Sequence, residues 1–156
     1  MKATELLAAG RLLGNIYADL AAPICKKHGI NQTCFDLIMF CANNPERNTA
    51  RDACELRGLK SGMASVAADT LIAKGLMTRC DDPFDRRLRR LVPTQSAAPL
   101  IADGRRMQRE FAAVLTVGIS EEELSAAERT AAKIAANINA FVKGEKQKMC
   151  KVLICI

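Results

Sequence analysis

The chain has 156 residues, a length that suits one domain with a real hydrophobic core. Hydrophobic residues make up 49% of the chain but aromatic residues only 4%, without tryptophan, so the core must be built from aliphatic side chains, as in closely packed helices. The formal net charge of +6 is compatible with a nucleic-acid partner, although charge alone does not establish one.

The seven cysteines and the single histidine exclude several classes of protein. An odd number of cysteines without a signal peptide argues against a secreted, disulfide-bonded framework. A zinc site is not expected because the chain has no C-x-x-C pair. No apolar run approaches the roughly 18 residues of a membrane helix, and no catalytic set or phosphate-binding glycine loop is present. We therefore expect a reduced, cytoplasmic protein that is not an enzyme and uses no metal or cofactor.

The N-terminal part of the chain predicts two helices. Residues 4–27 form the first, and Gly29 is expected to end it. Its apolar positions, from Leu6 to Ile24, exceed what one small domain must cover, so they face either a second chain or the core. Asn31 is expected to cap a second helix that is apolar on most sides, which places it at the centre of the fold.

Two shorter helices are predicted next. Thr49 can cap a helix that runs to Arg57, and Gly58 makes the turn to Ser61, which we expect to cap the following helix. Gly75 is expected to end that helix in a left-handed conformation. The i, i+3, i+4, i+7 spacing predicts a buried face made of Ala64, Ala67, Ala68 and Leu71. Together these two helices form a helix-turn-helix.

A short hairpin follows the second of these helices. Residues 76–79 and 88–92 can pair as strands, and the D-D-P sequence that begins at Asp81 supplies the turn. A slim helix followed by a basic hairpin suits a winged helix-turn-helix DNA reader, because arginines can neutralise phosphates or enter a narrow minor groove. An ordinary hairpin with a solvated tip fits the spacing equally well. The arginines expected at the tip are Arg86, Arg87, Arg89 and Arg90.

Two long helices are predicted in the rest of the chain. The first is expected to start regularly only near Ala98, or to kink there, because Pro99 is poorly tolerated inside a helix. Ser120 and Glu123 form a capping box that begins the second helix, which should end at Gly144. Residues 145–156 are basic and then apolar, and their pattern predicts no particular structure.

The hairpin and the helix-turn-helix together resemble a known family. The D-P-F-D-R-R motif that begins at Asp82, the L-V-P-T motif at Leu91 and the N-T-A-R-D-A-C-E-L-R-G-L stretch at Asn48 resemble the MarR family of bacterial transcription regulators. The resemblance extends in order from Ile30 to Phe141. It implies a winged-helix homodimer that binds palindromic operators, usually as a repressor, and releases DNA on binding a phenolic ligand or on oxidation.

The resemblance also implies how the chain is organised. All 156 residues form a single, mainly α domain with a small β-hairpin wing. Residues 30–94 form the winged helix-turn-helix core, and residues 1–28 and 98–144 supply the dimerisation helices. Residues 145–156 form the tail.

Contacts with double-stranded DNA are implied for three elements. Residues early in the recognition helix should meet base edges, where Val66 replaces a basic residue of many relatives and so favours A/T-rich sites. Asp85 should hold the Arg87 guanidinium in a bidentate pair and aim it into the minor groove. The predicted DNA-binding residues are Arg47, Thr49, Lys60, Ser61, Gly62, Met63, Ser65, Val66, Asp85, Arg86, Arg87 and Arg89.

The signal that controls the protein stays open at this point. Ligand pockets of the family lie between the dimer helices and the winged domain, which points to Tyr17, His28, Phe35 and Met39, although Phe35 and Met39 fit core positions better. Cys25 lies among basic residues, which favour a thiolate, and is the candidate redox sensor. A thiol-based sensor and a helical dimerisation protein without DNA binding are the alternatives to a ligand-released repressor.

Overall fold

The computed structural model describes residues 2–82, 84, 85 and 87–141. These residues form six α-helices and a two-stranded antiparallel sheet, in a first compact unit that ends at Ala112 and a second that begins at Ala113. This is the predicted mainly α, winged helix-turn-helix fold. The elements are α1 (Ala3–His28), α2 (Gln32–Asn43), α3 (Ala50–Arg57), α4 (Ser61–Ala73), β1 (Met77–Asp81), β2 (Arg89–Pro93), α5 (Ala98–Leu115) and α6 (Glu121–Ala140).

Most of the predicted helix boundaries are confirmed by their hydrogen bonds. Asn31 Oδ1 accepts the Cys34 N–H at 2.9 Å, and Ser120 forms the predicted capping box at the start of α6. Gly29 ends α1 in the left-handed region, with φ 62°. A short 3-10 turn precedes Ala98, where α5 begins, so Pro99 lies in the first turn, where a missing N–H breaks no helical hydrogen bond.

The start of α4 differs from its prediction. Ser61 is the first helical residue and not the N-cap, because the Lys60 carbonyl already accepts the Ala64 N–H at 2.9 Å. The Lys60 side chain makes no capping hydrogen bond. At the other end, Gly75 adopts the expected left-handed conformation, with φ 70°. The predicted end of the last helix at Gly144 and the tail lie outside the described residues.

Helix α2 forms the centre of the first unit. The predicted face of α4 packs against it, and both strands and α5 each add a buried side chain. Gly104 lets α5 approach closely, since a Cβ at this position would lie 2.5 Å from Met39 Sδ. The largest fully buried side chains are Phe35, Leu37, Ile38, Met39, Leu71, Met77 and Leu100.

Apolar side chains remain exposed in both units. On α1, Leu12, Leu13, Ile16 and Leu20 follow one helical stripe, whereas Leu7, which is 74% exposed, lies on the opposite side of the helix. In the second unit, Ile134 and Ile138 of α6 are exposed. Within the described residues, no helix is both long and apolar enough to span a bilayer. The exposed apolar residues of α1 are Leu7, Leu12, Leu13, Ile16 and Leu20.

Candidate nucleic-acid interface

The N-terminal half of α4 brings together six of the predicted DNA-binding residues on one exposed surface, which we call the reading surface. The opposite face of α4 is buried in the core and is made largely of the small residues Ala64, Ala67 and Ala68. Met63 and Val66 are 51% and 65% exposed, and their positions i and i+3 put them on the same side. The reading surface consists of Lys60, Ser61, Gly62, Met63, Ser65 and Val66.

The predicted phosphate contacts near α3 are only partly supported. Thr49 is 8% exposed, and its hydroxyl donates to Asp52 Oδ2 at 2.6 Å while accepting the Asp52 N–H at 3.1 Å. Its side chain therefore caps α3 and is not available to a phosphate, which corrects the prediction. Arg47 is more than half exposed, 3.6 Å from the Asp52 carboxylate, and can reach DNA.

The wing is a hairpin in which Met77 pairs with Pro93 and Asp81 with Arg89. The prediction that four arginines lie at its tip is wrong for Arg89 and Arg90, because both belong to β2. Arg89 forms an ion pair with Asp81 across the sheet. Arg87 lies in the tip and is exposed, whereas Arg86 lies outside the described residues.

Asp85 does not hold Arg87 in the predicted way. The Asp85 carboxylate accepts the backbone N–H of Arg87 at 2.9 Å, a bond that closes the turn. Among the described side chains, the Asp85 carboxylate and the Arg87 guanidinium form no ion pair. The two-residue spacing brings the carboxylate to the backbone of Arg87, so the direction of this guanidinium is set by the conformation of the tip.

The Asp82 side chain holds that tip together, a role that was not predicted from the sequence. It is 4% exposed, and its Oδ1 accepts the backbone N–H groups of Phe84 and Asp85 at 2.8 and 2.9 Å. Its Oδ2 accepts Arg90 Nε at 2.5 Å. These backbone bonds first, and then Arg90, lower the pKa of Asp82. The D-D-P sequence could have indicated this role, since an aspartate in a turn commonly accepts N–H groups two or three residues ahead.

The four predicted ligand-binding residues do not line one pocket. Phe35 and Met39 are fully buried in the core, as their apolar pattern favoured. His28 Nε2 lies 2.9 Å from the Asp103 carboxylate, where it ties the end of α1 to α5. Tyr17 is half-buried and borders an open cleft of about 390 Å³. The cleft is lined by Gly10, Leu13, Gly14, Tyr17, Arg57 and Phe111.

Arg57 is the one charged residue in the lining of this cleft. Its place there was not predicted from the sequence. Its guanidinium carbon lies 5.3 Å from the centroid of the Tyr17 ring, and its Nη2 lies 3.1 Å from the Asp36 carboxylate. Because Arg57 is the last residue of α3, the cleft connects α1 directly to the helix-turn-helix.

Cys25 does not have the environment of a reactive thiol. It is 7% exposed, and burial, followed by the nearby Asp36 carboxylate, raises the pKa of its thiol. A redox sensor needs an accessible thiol with a lowered pKa. The prediction failed because Cys25 faces the core, whereas the neighbouring Lys26 and Lys27 face solvent.

Comparison with known sequences relates the region around the reading surface to one family. Residues 28–88 match the sequence model of the MarR family, and they include α2, α3, α4, β1 and the tip of the wing. Over these residues the chain is similar to the MarR family. This similarity supports a DNA-binding transcription regulator.

Solved structures share the MarR fold over most of the chain. A MarR transcriptional regulator from Methanosarcina mazei Go1 is 14% identical with a TM-score of 0.71, covering 90% of this chain and 94% of its own. CouR from Rhodococcus jostii RHA1, bound to p-coumaroyl-CoA, is 20% identical with a TM-score of 0.65, covering 81% and 87%. MepR from S. aureus, in complex with DNA, is 18% identical with a TM-score of 0.53, covering 82% and 96%. No curated protein matches the chain.

Proposed function

We propose that this protein is a homodimeric repressor that binds a palindromic operator and is released from it by a small-molecule ligand. The observation that carries the proposal is the reading surface, six exposed residues on a helix whose opposite face is fixed in the core. A helix presented in this way fits the major groove, which is about 12 Å wide. The exposed Arg47 and Arg87 supply positive charge for phosphates, which provide the non-specific part of the affinity.

Apolar contacts should dominate sequence readout. Met63 and Val66 present methyl groups on the same side of the reading surface, and such groups pack on the C5-methyl of thymine. Ser61 and Ser65 can donate to or accept from base edges. We therefore expect an operator with A/T-rich half-sites.

The proposed dimer covers the exposed apolar stripe of α1. Four large aliphatic side chains on one face of a helix are difficult to explain in an isolated monomer, whereas a two-fold dimer buries such a face against its copy or against α6 of the partner. Two-fold symmetry also places two recognition helices about 34 Å apart, which is one turn of DNA. Sedimentation at micromolar concentration tests this proposal, and a monomeric mass would exclude it.

DNA binding is tested with the DNA upstream of the protein's own gene, by gel shift. Val66→Glu puts a negative charge into the reading surface at an exposed position and should cost about 1–3 kcal/mol of binding free energy. Ala102→Glu adds the same charge on the exposed part of α5 and serves as the matched control. Equal losses of affinity in both variants would mean that α4 does not read the operator.

The cleft beside Tyr17 is the proposed ligand site. Tyr17 and Phe111, whose ring centroids are 6.0 Å apart, give it aromatic walls, and Arg57 gives it one positive charge. This combination suits an aromatic anion, which would compete with Asp36 for Arg57 and so act on the end of α3. CouR, which shares the fold, is bound to p-coumaroyl-CoA. The buried Cys25 gives the redox alternative no comparable support.

The ligand proposal is tested by titrating the protein–DNA complex with p-coumarate and with p-coumaroyl-CoA. Either compound should release DNA from the wild-type protein. Arg57→Met removes both the charge that would bind the anion and the pair with Asp36, so it should lower DNA affinity without ligand and remove any further response to the compound. A response that is unchanged in Arg57→Met would place the ligand elsewhere.

A further inference from the structure

Three polar residues with little exposure connect the wing to the helix-turn-helix. Asp82, Arg90 and Asn48 come from the tip of the wing, from β2 and from the segment before α3. Asp82 and Asn48 are 4% and 5% exposed, and the Arg90 side chain is 26% exposed. We call these three residues the wing clamp. None of them is among the proposed DNA contacts.

On the wing side, the clamp fixes the backbone of the tip. Asp82 accepts the N–H groups of Phe84 and Asp85, and its own N–H donates to the Leu88 carbonyl at 3.2 Å. The buried Asp82 carboxylate thus fixes the backbone of the tip at Phe84 and Asp85, just before Arg87. Since Asp85 does not hold the Arg87 guanidinium, the backbone conformation of the tip determines from which position the Arg87 side chain extends.

On the other side, the clamp bonds to the segment that leads into α3. Arg90 Nη1 donates to the Glu46 carbonyl at 3.1 Å and to Asn48 Oδ1 at 3.0 Å. The Leu91 N–H donates to the Asn48 carbonyl at 2.8 Å, and Thr49 forms a β-bridge with Arg90. One guanidinium therefore joins the carboxylate of the tip to the helix-turn-helix. An isolated two-stranded hairpin is marginal in water, so these bonds, together with the buried side chains of Met77 and Leu91, set the position of the wing.

We propose that Asp82 and Arg90 are positioning residues for DNA binding, which hold the wing on the helix-turn-helix so that Arg87 and the reading surface engage one duplex together. This inference rests on the proposed DNA binding of the chain. The Arg90 guanidinium joins Asp82 to Glu46 and Asn48 and does not contact a phosphate. Asp82 promotes DNA binding even though it carries a negative charge.

The sign of the Asp82 effect separates positioning from simple electrostatics. Asp82→Asn removes a negative charge beside DNA, so electrostatics alone predicts tighter binding. The clamp predicts weaker binding, because an amide N–H₂ turned toward Arg90 Nε would place one donor against another. Asp81→Asn is the matched control, since it removes the same charge from the adjacent, exposed residue, which pairs with Arg89 on the surface of the sheet.

A second pair of variants tests the role of Arg90. Arg90→Lys keeps the charge but cannot reproduce the fork that reaches Asp82, Glu46 and Asn48 at once. Arg79→Lys is its control, because Arg79 of β1 forms an exposed ion pair with Asp69 and is not among the predicted DNA-binding residues. If Arg90 simply neutralised a phosphate, lysine would serve nearly as well, and the salt dependence of binding would be unchanged.

The experiment measures DNA affinity against salt for these four variants, for the double variant with Asp82→Asn and Arg90→Lys, and for the wild type, on a duplex of about 30 base pairs from upstream of the gene. Each phosphate contact changes the slope of log K against log salt by about 0.9 and the affinity by about fivefold at 0.15 M salt. Loss of one wing contact per subunit should therefore cost about 30-fold in the dimer and about 1.8 in slope. We expect this loss in Asp82→Asn and in Arg90→Lys, no further loss in the double variant, and changes below about threefold in both controls.

Hydrogen exchange of the wing in the free protein provides a readout that does not depend on DNA. The amides of Phe84 and Asp85 should exchange faster in Asp82→Asn and in Arg90→Lys, with the rest of the first unit unchanged. Faster exchange with unchanged DNA affinity would overturn the positioning role, as would tighter binding by Asp82→Asn. If the wild-type protein bound no DNA while the exchange pattern appeared as expected, the proposed function would fail and the clamp would remain only as a structural feature.

Discussion

Gly104→Ala tests how closely α5 must approach α2. In most helices this substitution stabilises the protein by about 0.5–1 kcal/mol, because alanine has the higher helix propensity. At position 104 the new methyl group would lie 2.5 Å from Met39 Sδ, 2.9 Å from Met39 Cε and 3.2 Å from Phe35 Cε2. The thioether of Met39 is flexible, but the residue is 1% exposed, so it cannot move into solvent.

The two effects of this substitution have opposite signs. Overpacking a closed core typically costs about 1–3 kcal/mol, which exceeds the propensity gain. We therefore expect Gly104→Ala to lower the free energy of unfolding by up to about 2 kcal/mol. Gly62→Ala is the control, because a Cβ at that helical position meets nothing within 4 Å and should report the propensity gain alone.

The measurement is urea unfolding by circular dichroism, with all variants at one protein concentration because a dimer's stability depends on it. Gly104→Ala combined with Met39→Ala should recover part of the loss, since the shortened side chain makes room for the methyl group. If Gly104→Ala proved as stabilising as Gly62→Ala, the reasoning would be refuted. Met39 would then relax freely, and the contact between α5 and α2 would be looser than its distances indicate.

Two further predictions concern ionisable groups. Hydrogen bonds from Lys27 and then His28 lower the pKa of Asp103 to about 2, so its stabilising contribution should be complete above the unfolded-state pKa of about 3.9 and fade as the pH falls toward 2. Acid unfolding should therefore show Asp103→Asn less stable than the wild type at pH 5 but similar to it near pH 2. Because Cys25 is buried and the pKa of its thiol is raised, peroxide should affect DNA affinity equally in the wild type and in Cys25→Ser; a peroxide response that Cys25→Ser abolished would reverse this conclusion.

Features that depend on neighbouring residues in the sequence were predictable. Asn31 and Thr49 cap helices, and Gly29 ends one, because each acts through hydrogen bonds or dihedral angles within a few residues. The role of Arg90 could not be predicted in this way. Its partners Glu46 and Asn48 lie more than 40 residues earlier in the chain, and only the folded wing brings them together.

The direction of individual side chains was the other property that could not be predicted from the sequence. Cys25 follows the helical period of α1 into the core, while the adjacent lysines do not, so neighbouring charges in sequence gave the wrong environment. In the wing, the spacing of Asp85 and Arg87 suggested a contact between side chains, but the turn brings the carboxylate to the backbone N–H. In both cases the predicted residue was in the expected element, and its orientation decided its chemistry.

Tyr17 gives the cleft its own spectroscopic signal. It is the single tyrosine of a chain that has no tryptophan, so ultraviolet fluorescence of the unlabelled protein originates essentially from one ring in the proposed ligand site. The phenol oxygen accepts a hydrogen bond from Gln108 Nε2 at 2.7 Å, and burial raises the pKa of the hydroxyl. Quenching of this emission, or a shift in the alkaline absorbance titration, would therefore report events at the cleft without any engineered probe. Combined with a fluorescent label on the DNA, this signal would let cleft occupancy and DNA release be timed separately in one sample.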